Sequence, residues 1–243
     1  NKENTLVVVQ LTGGNDFMDT IIPYTNGIYY DCRPTFATDQ NDVLPINDSL
    51  AFHPAARSLK NLYDDGKVAI IQGVGYENSS RSHFRAMDIM HTCEPDRVGT
   101  QGWLGRTIRE MDPRQENVLT GVNIGIGLPR AMALPGVPVT SIGDLDNYGI
   151  MTSLSDMEGR SAILDNFKDI YSQAIGSGPV ADFLGRTAND ILKSADLLKD
   201  VPGQYESTVE YAENPIAKSL RDVARIHTAR MGTRVFYVQH GGY

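Results

Sequence analysis

The sequence is poor in cysteine, in tryptophan and in long apolar runs, and it lacks any block of basic residues. Two cysteines in 243 residues, Cys32 and Cys93, exclude a disulfide framework, and their spacing fits no zinc motif. As a pair they leave two states open, a bridge in an oxidising compartment or two buried thiols. No apolar stretch approaches the roughly 18 residues of a membrane span. A net charge of −8 without a Lys/Arg cluster excludes a binder of the nucleic-acid phosphate backbone. No Rossmann or Walker glycine pattern occurs, so neither nucleotide chemistry is indicated. Low-complexity tracts and internal repeats are missing as well. So is a signal segment, which does not decide the compartment, because a mature chain looks the same after cleavage.

What is present is ordinary globular composition, 41% hydrophobic and 21% charged, enough for one large core. Leu6 to Val9 is an unbroken apolar, β-branched run and reads as a strand buried on both faces. Gly13-Gly14 then allows a sharp turn that carries Asn15 and Asp16 at the strand's carboxyl end, where ligands of open α/β sheets bind. The plainer reading of the same turn is an Asx hydrogen bond.

Further along, Phe17 to Ile22 reads as a short helical or irregular piece ended by Pro23, and Ile28 to Pro34 as a packed loop. A helix is expected from Pro54 to Tyr63. Lys67 to Gln72 reads as a second buried strand with a Gly73–Tyr76 turn. Helices follow at Phe84–Thr92 and Trp103–Met111, then strands within Val118–Gly127 and Pro138–Ile142. Three more helices are expected over 155–172, 179–198 and 214–231, the last with Ile216, Leu220, Val223 and Ile226 on one face. A final strand, Thr233–Gln239, leads into His240-Gly241-Gly242. Strands alternating with helices predict an α/β fold with a largely parallel sheet. The repeated Gly-Gly exit at the end suggests a chain that continues.

A second constellation is Ser79-Ser-Arg-Ser-His-Phe-Arg85. A serine at a helix start gains from free N–H groups and the helix dipole, which favour an oxyanion, and Arg81 and Arg85 add anion-binding forks. On local pattern alone, an N-cap serine, Ser80 or Ser82, followed by a helix is the favoured reading. Together the two loops resemble a family. Gly13-Gly-Asn-Asp16 with Thr20, Pro23-Tyr24, Tyr29-Tyr30 and Arg33-Pro34 fit it, as do Gly73-Val-Gly-Tyr76, Arg81-Ser-His-Phe84, Gly102-Trp-Leu-Gly-Arg106 and Gly241-Gly-Tyr243. It is the bacterial, mostly exported domain-of-unknown-function family numbered fifteen hundred and one, related to sulfatases and the alkaline-phosphatase superfamily.

The resemblance implies a three-layer α/β/α sandwich, with residues 1–243 the N-terminal part of a single sulfatase-like domain. It implies a divalent metal (zinc, calcium, magnesium or manganese) held by Asp16, with Asp19 as an additional carboxylate that relatives lack. Ser82 matches the position of the nucleophile, with His83 beside it; Asn15, Arg81 and Arg85 would contact a small anionic ester. The implied function is metal-dependent hydrolysis of phosphate or sulfate esters, in the periplasm or outside the cell. The alternative is a non-catalytic exported binding or assembly protein that keeps the fold. The family's remaining metal ligands follow the closing Gly-Gly-aromatic, so a C-terminal part or a partner chain is expected to complete the site.

His240 reads equally as a site-rim or a structural residue, whereas His53 and His227 read as structural, Trp103 as core, and Gly143–Gly149 as a turn rather than a calcium loop. Three expectations bear directly on the fold. Asp16 and Ser82 should leave the same edge of the sheet. Cys32 and Cys93 should be buried. Val235–Val238 should be an interior strand ending at the edge where Leu11 and Gln72 end.

Overall fold

A computed structural model describes residues 4–148 and 178–242, together with Asn166, Asp169 and Ile170. The helix expected over 155–172 lies outside the described residues apart from those three. The chain forms two compact units, Asn1–Thr12 with Asn78–Gly242, and Gly13–Glu77.

The first unit holds a four-stranded, wholly parallel sheet. Its strands are β1 (Leu6–Leu11), β5 (Gly121–Ile124), β6 (Thr140–Ile142) and β7 (Val235–His240), in the order β1-β7-β5-β6. The strand Val235–Val238 is interior, as its density of apolar residues requires. It pairs with β1 on one side, Leu11 opposite His240, and with β5 on the other. Val235, Phe236, Tyr237 and Val238 are all buried, and their alternation feeds two cores. Phe236 and Val238 join Val122, Ile124 and Ile142, with Val223 and Ile226 from α7 (Pro215–Thr228). Val235 and Tyr237 join Leu104 and Ile108 from α5 (Trp103–Met111), with Trp103 packed against that cluster. Each such apolar side chain contributes roughly 1.5–3 kcal/mol.

Two buried-strand expectations are corrected. β1 is an edge strand, not a central one: Leu6, Val7, Val9 and Leu11 are 40%, 40%, 41% and 55% exposed. Lys67–Gln72 forms no strand at all. Lys67 N–H returns to the Leu62 carbonyl, closing α3 (Arg57–Asp64), and Ile71 is exposed. An apolar run specifies the wish for cover, but a strand exists only where a neighbour supplies a ladder.

Helices form where their ends are capped. Pro215 occupies the first turn of α7, and Asn214 Oδ1 accepts from Ala217 N–H. α6 (Pro179–Leu198) likewise opens on proline and matches its expected span. α5 starts at Gly102, where a Cβ would overlap the Arg130 and Ala131 carbonyls. That close approach accounts for the glycine preceding Trp103.

The second unit carries a small antiparallel sheet, β2 (Ile21–Ile22), β4 (Ala51–Phe52) and β3 (Leu44–Pro45). Its core is Ile22, Tyr29, Val43 and Ala51. The segment expected as a packed loop is helix α2 (Gly27–Cys32). Asn26 caps it by accepting from Ile28 N–H, a signal the prolines and aromatics around it obscure. The cysteines are also corrected. Both are free and exposed, Cys32 ending α2 and Cys93 in the left-handed cap position after α4 (His83–Thr92), φ 56°. A helix-ending residue that turns the chain outward is poorly placed for burial.

Past α5, Asp112 organises the entry to β5. Its carboxylate accepts from Glu116 N–H at 3.2 Å, Asn117 N–H at 3.0 Å and Thr120 Oγ1 at 3.2 Å. Partial burial pushes this carboxyl up, but the hydrogen bonds from Asn117, Glu116, Thr120 and Gln115 outweigh it and hold the pKa below the usual aspartate range. A depressed folded-state pKa gives stability that is complete above the unfolded value of about 3.9 and is lost as pH falls through the folded pKa. Asp112→Ala is therefore expected to lower stability by roughly 1–3 kcal/mol at neutral pH. The difference from wild type should shrink as the pH is taken below the unfolded value of about 3.9. Urea denaturation at neutral pH and below that value measures it, and a pH-independent difference would exclude this role.

Candidate functional site

At the carboxyl edge of the sheet, β1 and β7 end together. Thr12 N–H donates to the His240 carbonyl at 2.7 Å, and the Thr12 hydroxyl to the same oxygen at 3.0 Å. A Cβ on Gly241 would crowd the Thr12 hydroxyl. The residues that precede the two Gly-Gly pairs are thus locked side by side. His240 takes part through its backbone carbonyl here.

Elsewhere in this unit, α4 presents the serine loop. Ser82 is exposed and caps the helix, its Oγ accepting from Arg85 N–H at a long 3.4 Å. Ser82 N–H in turn donates to Ser80 Oγ at 3.1 Å. Arg81 and His83 are exposed. Arg85 points the other way. Its guanidinium meets Asp88 at 3.1 Å and donates to the carbonyls of Glu94, Pro95 and Arg97 at 3.4, 2.8 and 2.8 Å. Asp88 is shared with Arg130 at 2.6 Å. Arg85 is thereby a loop-organising residue, with its donors committed inside the protein. The Arg85–Asp88 pair at i,i+3 is legible in the sequence; nothing local marks Arg130 as the third member.

α4 is also tied to β1. His91 Nε2 lies 3.0 Å from Gln10 Oε1, and Gln10 Nε2 donates to Met87 Sδ at 3.7 Å. Burial, then the nearby Arg130 charge, lower the His91 pKa against the opposing pull of Asp88, a net shift that favours the neutral ring.

In the second unit, Asp16 caps α1 (Phe17–Thr20) by accepting from Met18 N–H at 3.1 Å. Both its oxygens are gripped by Arg33, Nε to Oδ2 at 3.0 Å and Nη2 to Oδ1 and Oδ2 at 3.0 and 2.9 Å. Asn15 Oδ1 accepts from the Thr20 hydroxyl at 3.2 Å. Asp19 Oδ1 accepts from Tyr29 OH at 3.1 Å and Thr38 Oγ1 at 3.3 Å, and its Oδ2 lies 4.0 Å from His53 Nε2. His53 Nδ1 accepts from Ala55 N–H, capping the turn at Pro54, so this histidine is structural as its sequence context suggests. Asp16 and Asp19 belong to this unit, Ser82 and His83 to the other.

The donor chemistry is that of hard oxygen ligands, which suits magnesium, calcium or manganese. Yet Asp16 is charge-matched by Arg33, and among the described residues no three His, Cys, Asp or Glu side chains come together as a metal-holding group. Asp144 is likewise the pivot of a turn, accepting from Asp146 N–H and Asn147 Nδ2 at 3.1 and 3.0 Å. In comparisons with known proteins, no family model, curated protein or solved structure matches this chain.

The two candidates on α4 separate by energetics. Ser82→Ala removes one long cap bond and is expected to cost about 1 kcal/mol of stability. Arg85→Ala strips the carbonyls of residues 94, 95 and 97 and leaves Asp88 with Arg130 alone. Roughly 2–4 kcal/mol is expected, and Arg85→Lys should restore little because one ammonium cannot span that fork. Chemical denaturation of the three variants would reverse the assignment if Ser82→Ala proved the costlier.

Proposed function

We propose that this chain is a divalent-metal-dependent hydrolase of phosphate or sulfate esters, exported to the periplasm or cell exterior, on an α/β/α sandwich of the alkaline-phosphatase and sulfatase kind. The observation that carries this reading is the locked pair of exits at Thr12 and His240. Adjacent parallel strands release two Gly-Gly turns at the carboxyl edge, where α/β proteins bind ligands. Asp16, directly after the first turn, is the proposed metal ligand, with Asp19 and Asn15 near it in sequence. Ser82 is the proposed nucleophile, and its exposed neighbours Arg81 and His83 the groups that meet the anionic ester and its proton. A bound dication would supply charge neutralisation at the ester oxygens and activation of the attacking hydroxyl.

A second reading, a non-catalytic exported binding or assembly protein, is favoured by one feature. The Asp16 carboxylate is held bidentately by Arg33, as in a structural ion pair.

The test is metal content and turnover of 4-nitrophenyl phosphate and 4-nitrophenyl sulfate by the full-length protein supplied with zinc, calcium, magnesium or manganese. Turnover with at least one metal is expected. Asp16→Asn should lose both metal and activity. Ser82→Ala should keep the metal and lose roughly 10²–10⁴-fold in rate. Absence of turnover and of stoichiometric metal under all four conditions would establish the binding reading instead.

A further inference from the structure

We infer a second ligand site in the first unit, a crevice for a neutral, hydroxyl-bearing ligand of monosaccharide size at the carboxyl ends of β5 and β7. It encloses about 390 Å³ and is lined by the turn Ile124–Pro129, Ser219 of α7 and Gln239 of β7, with Asn123 at its base. That volume lies within the range of small-molecule clefts, and the position is the ligand-binding end of a parallel sheet. None of these residues is among the candidates for ester hydrolysis, so the inference stands apart from that reading.

Asn123 is the decisive group. A polar amide in a central strand is 2% exposed. Its Nδ2 is fully used, donating to the carbonyls of Gly125 and Gly127 at 3.3 and 2.8 Å and to Ser141 Oγ at 3.4 Å. Ser141 Oγ donates to the same Gly127 carbonyl at 2.8 Å. These bonds fix the turn that forms the crevice wall. Asn123 Oδ1, by contrast, receives no hydrogen bond among the described residues, and it is not one of the sealed, unpartnered atoms of the core. An acceptor that no described protein group satisfies, on a residue that lines the crevice, is available to a ligand that donates to it. Ser219 Oγ also has no partner among the described residues.

The lining sets the ligand's chemistry. It contains no ionisable side chain, and Gly125 N–H is already spent on the Ile142 carbonyl at 2.8 Å, which leaves an anion neither a cation nor that amide. An amide oxygen and a hydroxyl match a ligand that both donates and accepts, as sugar hydroxyls do. At the mouth, Ile126 is 99% exposed and Leu128 is half exposed, an apolar rim for the C–H face of a pyranose.

The experiment is a ¹H–¹⁵N NMR titration of the protein with methyl α-D-glucopyranoside, and in parallel with glucose 6-phosphate. Saturable shifts are expected at the amides of Gly125, Gly127 and Gln239 with the neutral glycoside, and binding of the phosphorylated sugar about tenfold weaker or worse. Ser219→Trp, which fills the crevice from the helix side, should abolish the shifts. Ile126→Asp, on a side chain that touches no core and so cannot unfold the protein by cavity formation, should weaken binding about five- to tenfold. Absence of saturable shifts at these amides, preference for the phosphorylated sugar, or an unchanged titration in Ile126→Asp would each overturn the site.

Discussion

The parallel ladder on both sides of β7 is the constraint on which the first unit depends. Val235 to Val238 have a strand on each side and apolar cover on each face. A parallel pairing requires its crossovers to pass over the sheet. Helices cover both faces of the interior strands: Val223 and Ile226 pack with Phe236, Val122 and Ile142 on one face, Leu104 and Ile108 with Tyr237 and Val235 on the other. Burial pushes the Tyr237 phenol up, away from ionisation, and a hydrogen bond with Gln239 only partly offsets this. The same ladder brings the carboxyl ends of β1, β5 and β7 to one edge. Both the proposed hydrolytic exits and the neutral crevice follow from it.

Away from the sheet, the loops are organised by carboxylates held in fixed positions rather than by apolar cover. Asp88 gathers Arg85 and Arg130, Asp112 gathers two amides and a hydroxyl, and Asp16 is gripped by Arg33. Exposed ion pairs contribute little singly. These pairs differ because at least one partner is largely shielded: the Asp88 side chain is 12% exposed. Removing one partner there strands the others, so the effect on loop geometry exceeds the energy of the contact itself.

Much of the helical layout is legible in the sequence because helices carry their own end signals. Pro179 and Asn214-Pro215 mark true starts, and Asp64-Asp65-Gly66 a true stop. Strands are less legible, since periodicity reports a residue's demand for cover and not the identity of its neighbour. Leu6–Val9 and Val235–Val238 are almost equally apolar, yet one lies at the edge and the other inside, a difference set by the second pairing that β7 makes with β5, more than a hundred residues away in sequence. Lys67–Gln72 carries the same pattern and pairs with nothing among the described residues. The candidate site divides in the same way. Ser82 and Asp16 are visible as caps because capping is local. Arg33, Arg130 and Asn123 acquire their roles only through tertiary partners, which no spacing rule reports.

Chemistry-bearing side chains in this protein double as folding devices, and the strength of that second role decides which of them remain available. Ser82 is held by a single 3.4 Å cap bond, worth about 1 kcal/mol or less. Asp16 has a stronger alternative partner, for a cation must displace or share the Arg33 fork. A divalent ion carries twice the charge of a guanidinium at a shorter approach, so the exchange favours the metal only when further oxygen ligands accompany it. Arg85 is committed most deeply, with Asp88 on Nη1 and three carbonyls around Nη2. The availability of these groups therefore falls from the serine to the aspartate to the arginine. At the start of α4 Arg81 is exposed, whereas Arg85 is bound to the carbonyls of the loop that follows the helix.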